Sequence, residues 1–455
     1  MLKESFETFV TELEVDNEED MMSRYKRILK KLNGEFWGEE SEEEHGYIVG
    51  SLGRRTAIKG ISDMDMLFVL PTELKAQYDG YEENGQSTLL QDVKKVIKKI
   101  YPRTVVRGDG QVVVVTMNGA KCEIEVCPVF ERTDGAFDYP DTNNGGRWRK
   151  TDPLPELAAS EVMTDESSGH FIYICRMVRA WKNNKGFKLG GLLIDTLVHN
   201  FLNDDKYAKY KDSSFESYLD LYKDLFSYLK NMNKEQSYWL ALGSRQHVYN
   251  KDGAFVAKAK KAYGKLKDLT EESEELYDNL RSVFGNKFPL PEAENATQAY
   301  RESIEISSAR KTEEFIDEKF DGVDIKYNLK IDCDVEVKGF TRKSLRSMLS
   351  KFERLQPRKQ LTFMIKENEF EELALRTKDP DYNFRVYWKV LNRGSEAIRR
   401  NQIRGQIFPD AGMGRRQERT SFRGGHIVEC YVVHNNVVVA KDRIKVPIES
   451  SEITA

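Results

Sequence analysis

Gly50-Ser51-Leu52-Gly53-Arg54-Arg55-Thr56-Ala57-Ile58-Lys59-Gly60-Ile61-Ser62-Asp63-Met64-Asp65 runs directly into the apolar stretch Met66-Leu67-Phe68-Val69-Leu70. The apolar stretch reads as a strand, and alternate side chains of a strand share a face. Asp63 and Asp65 therefore point the same way. Two adjacent carboxylates repel each other, and a hard divalent cation relieves that cost by taking their oxygens together with those of a phosphate. The Gly50-Ser51 turn offers backbone N–H groups and a hydroxyl to such a phosphate. Each piece alone has a bland reading, a turn and a solvated acidic pair. Their combination implies a site for a nucleoside triphosphate and metal.

Composition sets the frame around that stretch. A chain of 455 residues is long enough for two or three domains. With 39% hydrophobic and 32% charged residues it reads as a soluble globular protein with a sizeable core. The net charge of −4 means that any anion site is a local patch and not a property of the whole molecule. The chain contains neither an apolar run long enough to span a membrane nor a secretory leader pattern, so a cytoplasmic protein with no membrane span is expected. Five scattered cysteines and six scattered histidines show no metal-ligand spacing, which fits a reducing compartment.

In chain order, residues 4–33 have apolar positions at helical spacing, with Asn33-Gly34 expected to end the run. The acidic tract Glu39-Glu40-Ser41-Glu42-Glu43-Glu44 reads as a solvated loop. Residues 47–51 and 64–70 are expected as strands and 89–100 as an amphipathic helix. Asn118-Gly119 between Gln111–Met117 and Cys122–Val126 signals a hairpin. Its second arm places Glu123 and Glu125 on one face, where either acid would complete the set begun by Asp63 and Asp65. The pattern then turns helical: 161–182, 189–203, 214–231 and 254–284, stopped by the glycine and prolines of 284–291. Residues 292–329 read as a linker with a helix over 312–320. Strands are expected at 331–337, 361–365, 384–391, 426–433 and 437–444, with a helix at 341–352. An arginine-dense stretch carries Arg393, Arg399, Arg400, Arg404, Arg415, Arg416, Arg419 and Arg423 against Glu396, Asp410 and Glu418. Arginine forks suit phosphate, and a solvated loop system is the plain alternative.

The fold class expected is α+β: a mixed sheet with a helical domain, then a separate β-rich domain. The domains are a core over 1–150, a helical domain over 151–291, the linker 292–329 and the C-terminal domain 330–455. Gly50-Ser51…Asp63-Met64-Asp65 with Glu125-Val126-Cys127-Pro128-Val129-Phe130 resembles the signature of the bacterial cyclic GMP–AMP synthase/DncV-like nucleotidyltransferases, polymerase-β-like enzymes of antiphage signalling. Gly146-Arg147-Trp148, Thr151-Asp152-Pro153, Arg179-Ala180-Trp181-Lys182 and Ala241-Leu242-Gly243-Ser244 extend the likeness over roughly residues 1–291. Tyr387-Trp388-Lys389-Val390 and His426 to Tyr431 resemble the adenylyl/guanylyl and SMODS C-terminal sensor domain.

That resemblance implies a Mg²⁺-dependent enzyme that condenses nucleoside triphosphates, ATP among them, into a cyclic or linear oligonucleotide second messenger. Asp63, Asp65 and Glu125 would be catalytic and hold two Mg²⁺ ions, or Mn²⁺. Glu125 stands where the family usually has Asp, and Glu123 is the other candidate for the third acid. Gly50, Ser51, Arg179, Lys182 and Ser244 would bind the nucleotide. The implied partners are an activating ligand or nucleic acid at the C-terminal domain and an effector protein that reads the product. Two other readings stand beside this one: extension of nucleic-acid ends or synthesis of linear oligomers, and a non-catalytic nucleotide or nucleic-acid sensor.

Overall fold

A computed structural model describes the chain except residues 61–62, 117–122, 251–252, 292–312, 338–339, 352, 354, 356–358, 378–381, 393–394 and 449–455. Two compact units emerge. One comprises Leu2–Trp181 with Leu189–Phe288, the other Met1, Lys182–Lys188 and Pro289–Ala455.

The first unit is built on a seven-stranded mixed sheet with the path β1 (Gly46–Ile48), β2 (Asp63–Leu70), β5 (Glu123–Glu131), β4 (Val112–Thr116), β3 (Val105–Asp109). Strands β6 (Phe137–Asp141) and β7 (Arg147–Thr151) extend it from β5. Strands β2 and β5 run parallel, with Asp63 beside Glu123 and Asp65 beside Glu125. Strand β2 is buried on both faces. Met64, Met66, Phe68 and Leu70 join one core with helices α2 (Glu18–Phe36) and α5 (Gly85–Ile100), and Leu67 and Val69 join another with Val129 and Phe137. A strand covered on both sides carries a continuous apolar run, and for this reason Met66–Leu70 does not alternate. Helices α6 (Leu154–Glu166), α7 (His170–Lys185), α8 (Gly191–Asn203), α9 (Tyr218–Lys230), α10 (Ala254–Leu266) and α11 (Leu276–Phe284) follow.

The second unit is a sandwich. One sheet has the order β10 (Gly322–Val323), β18 (Val437–Ile448), β17 (Gly424–His434), β14 (Arg385–Leu391), β15 (Arg404–Pro409). The other has β12 (Phe340–Ser344), β11 (Leu329–Val337), β13 (Gln360–Asn368), β16 (Arg415–Arg419). One core holds Ile331, Cys333, Val335 and Phe363 of the second sheet with Trp388, Val428, Cys430 and Val432 of the first.

Several expectations are corrected. The strand expected over 47–51 ends at Ile48. Gly50 has φ +66°, and Gly50–Gly53 forms the single-turn helix α3. Asn33-Gly34 does not stop α2, which runs to Phe36. Asn33 is buried, and its Nδ2 donates to the carbonyls of Ser41 (2.9 Å) and Glu44 (2.8 Å), tying down the acidic tract. The helix expected over 161–182 is two helices, parted at Gly169 with φ +88°. That over 254–284 is likewise two, α10 and α11. Where 341–352 was expected helical, β12 reaches Ser344, which then caps a short helix Leu345–Ser350 by accepting from the Ser347 N–H. The helix expected over 312–320 is reduced to Ile316–Lys319, with Thr312 outside the described residues. The Asn118-Gly119 turn and most of the linker, 292–312, also lie outside them. The arginine-dense stretch contains two strands that the sequence reading missed, β15 and β16.

Candidate active site

The carboxylates of Asp63, Asp65 and Glu125 converge, each half-buried, with one oxygen from each lying within 4.8 Å of the others. Parallel pairing of β2 with β5 causes this. It sets Asp65 beside Glu125 on the face that Asp63 shares by strand alternation. Three hard oxygen donors this close fit a divalent cation such as Mg²⁺ or Mn²⁺.

Gly50 is part of the same arrangement. A Cβ there would sit 1.8 Å from the Asp65 Oδ2, so the absent side chain is what admits the carboxylate. The Val49 N–H donates to the Asp65 carbonyl at 2.9 Å, which pins the turn to the strand. The Ser51 carbonyl accepts from the N–H groups of Thr56 (2.9 Å) and Ala57 (3.1 Å), folding the following loop back on the turn.

Glu123 shares the strand face of Glu125 but has partners of its own. Its Oε1 accepts from the Thr116 hydroxyl at 2.5 Å and from the Arg107 guanidinium at 3.4 Å. The cluster of converging oxygens therefore contains Glu125 as its third acid. The negative field of the cluster also reaches Cys127. Burial pushes its thiol well above the ordinary value, and Asp65 and Glu125 push it further in the same direction.

Arg179, Ser244 and Lys182, the other residues expected at the nucleotide, each have partners of their own. Arg179 is buried in α7, donating from Nη1 (2.6 Å) and Nη2 (3.0 Å) to both carboxylate oxygens of Asp195 on α8. Asp195 also accepts from Arg54 Nε (2.8 Å) and the Thr56 hydroxyl (2.9 Å). Burial opposes the Asp195 charge, but the guanidiniums of Arg179 and Arg54 outweigh it and hold the carboxyl down to about 2. Ser244 donates to Glu156 Oε1 at 2.8 Å. Burial raises the Glu156 carboxyl above its ordinary value against the pull of Ser244 and Arg54. Lys182 belongs with the second unit, where its Nζ donates to the Ile325 carbonyl at 2.9 Å. Arg54, Asp195 and Glu156 were missed from sequence. The available signal was Asp195 itself, a lone acid inside the apolar run Leu192–Leu197.

Residues 1–162 match the model of the second messenger oligonucleotide or dinucleotide synthetase (SMODS) domain, and residues 310–449 match that of the adenylyl/guanylyl and SMODS C-terminal sensor domain. A curated probable cyclic nucleotide synthase of Bacillus cereus (strain VD146) is 20% identical over an alignment of 185 residues that covers 35% of this chain. The chain spans 56% of the length of that relative. Among solved structures, Escherichia coli MS115-1 CdnC with ATP is 16% identical, with a TM-score of 0.49 over 64% of this chain and 99% of that one. Vibrio cholerae DncV in its apo form is 14% identical, with a TM-score of 0.44 over 54% of this chain and 69% of that one.

Proposed function

We propose that this chain, which joins a match to the SMODS synthetase domain with a match to the adenylyl/guanylyl and SMODS C-terminal sensor domain, is a cyclic GMP–AMP synthase/DncV-like nucleotidyltransferase that condenses nucleoside triphosphates into a short cyclic or linear oligonucleotide with release of pyrophosphate. The observation that carries this reading is the convergence of Asp63, Asp65 and Glu125 within 4.8 Å on two parallel strands. Those three residues would hold divalent cations, which supply the positive charge that in-line phosphoryl transfer requires.

The chain's own residues do the rest. Gly50 keeps backbone close to Asp65, where a larger residue would displace the carboxylate. The Gly50-Ser51 turn presents N–H groups and a hydroxyl to a triphosphate. Glu125, or water beside it, takes the proton as an acceptor ribose hydroxyl attacks the α-phosphorus. The new phosphodiester forms as the bond to pyrophosphate breaks. The product acts as a second messenger for a separate effector protein in antiviral defence inside the cell, and the C-terminal unit gates its synthesis.

The test is incubation of the purified chain with all four ribonucleotides and Mg²⁺ or Mn²⁺, read by mass spectrometry and pyrophosphate release. We expect an oligonucleotide product whose formation falls on the order of a thousandfold in Asp63→Asn, the loss of several kcal/mol of charge stabilisation. Undiminished turnover by a folded Asp63→Asn protein, or no product from ribo- or deoxynucleotides with or without added nucleic acid, overturns the proposal.

A further inference from the structure

Residues 393–423 carry eight arginines and three acids in a chain whose net charge is −4. The structure shows which of those charges are already matched. Glu396 accepts from Arg399 (Nε, 2.9 Å) and Arg400 (Nε, 3.0 Å). Glu418 accepts from Arg404 (Nη1, 2.6 Å) and Arg416 (Nε, 3.0 Å). Asp410 is occupied by the Trp388 indole N–H at 2.8 Å and by the Gly412 and Gly414 N–H groups. Arg393 lies outside the described residues. Arg415, Arg419 and Arg423 are left, all exposed and with no carboxylate partner among the described residues.

Two of these three occupy one face of one strand. Among the described residues, strand β16 ends its sheet and pairs only with β13. Along it Arg415, Gln417 and Arg419 are exposed while Arg416 and Glu418 are half-buried, the alternation of a pleated edge. Arg415 and Arg419 are thus about 13–14 Å apart along a straight line, with Gln417 between them. Positive charge lies on a strip one strand wide. Across the sheet the rows read Arg415–Met364–Asp332, Gln417–Thr362–Asp334 and Arg419–Gln360–Glu336. The acids of β11 stand two strand spacings from the arginines, roughly 9.6 Å. A broad anionic surface laid on this face would meet those acids. A single anionic thread that follows β16 would not.

An aromatic ring lies beside Arg416, on the opposite side of β16 from Arg415 and Arg419. Phe408 on β15 is 42% exposed, and the Arg416 guanidinium sits over its ring at 5.7 Å from the centroid. Arginines that track a backbone beside an exposed ring are the ingredients for binding single strands, in which phosphates pair with cations and bases stack on aromatic faces.

We propose that edge strand β16 with Phe408 is a binding site for single-stranded nucleic acid, with Arg415, Arg419 and Arg423 on non-adjacent phosphates of its backbone and a base reaching over the strand edge to Phe408. The site shares no residue with the carboxylate cluster, and its test needs no catalytic turnover.

The experiment is fluorescence anisotropy of the whole chain with a labelled 20-nucleotide oligo-dT and an oligo-U, from low to moderate salt. Each phosphate contact on a single strand contributes about −0.7 to the slope of log K against log salt. The double variant Arg415→Gln/Arg419→Gln should therefore weaken binding at least tenfold and flatten the slope by about 1.4. Both side chains are exposed, so its thermal melt should match the parent chain. Phe408→Ser should weaken single-strand binding several-fold while leaving the slope unchanged. An unchanged affinity and slope in the double variant overturns the proposal. So does equal binding of a duplex of the same length, or stronger binding to phosphatidylserine vesicles.

Discussion

At position 50 the hydrogen of glycine matters because Asp65 fills the space a methyl group would need. Gly50→Ala adds a Cβ 1.8 Å from the Asp65 Oδ2 and forces an L residue to φ +66°. We expect a stability loss of about 1–2 kcal/mol from the backbone alone. Product formation should fall by more than tenfold, because the carboxylate has to move. Parallel denaturation and turnover measurements check this, and a fully active Gly50→Ala chain would show that Asp65 needs no close backbone. Asp63 and Asp65 were legible in the sequence because strand alternation is a local rule. The choice between Glu123 and Glu125 was not. Both share a strand face, and what separates them is Arg107 and Thr116, brought to Glu123 by β3 and β4. The present partners of Arg179 and Ser244 were not legible either, for a related reason. Their residue types suit phosphate, and only the fold sets Asp195 and Glu156 beside them.

At the scale of elements, Asp195 is a brace among three segments: α7 through Arg179, α8 through its own backbone, and the loop after α3 through Arg54 and Thr56. Asp195→Asn leaves two buried guanidiniums without their counter-charge and should cost about 3–5 kcal/mol in urea unfolding at pH 7. The acid dependence has a definite sign. The folded carboxyl sits at about 2, below its ordinary value of 3.8. Its contribution, on the order of 2 kcal/mol, is therefore fully present above about pH 4 and lost as pH falls through 2. The parent chain should lose that increment between pH 4 and 2, and Asp195→Asn should not. A variant less than 1 kcal/mol weaker at pH 7 would remove the brace from the account. Helices with one apolar stripe, such as α2 and α5, were legible from spacing alone. Strands β15 and β16 were not, since β16 is charged on both faces and owes its extended form to β13.

At the scale of the molecule, the core around β2 and β5 and the core of the sandwich are separate clusters in separate units. Two cores that do not share residues should melt as two cooperative blocks, so scanning calorimetry of the whole chain should show at least two transitions. One transition with equal calorimetric and van't Hoff enthalpies would contradict that. The sequence by itself determined what local rules govern: the Asp-x-Asp pair leading into an apolar strand, the paired β-arms, the helical middle and the β-rich end. These follow from periodicity, turn chemistry and burial, each a property of neighbours in the chain. Tertiary structure alone decided which acid joins Asp63 and Asp65, what Arg179, Lys182 and Ser244 hold, and which arginines remain uncompensated. Each of those depends on charges that lie far apart in sequence and meet only across strands and helices, where burial makes an ion pair strong or its absence costly.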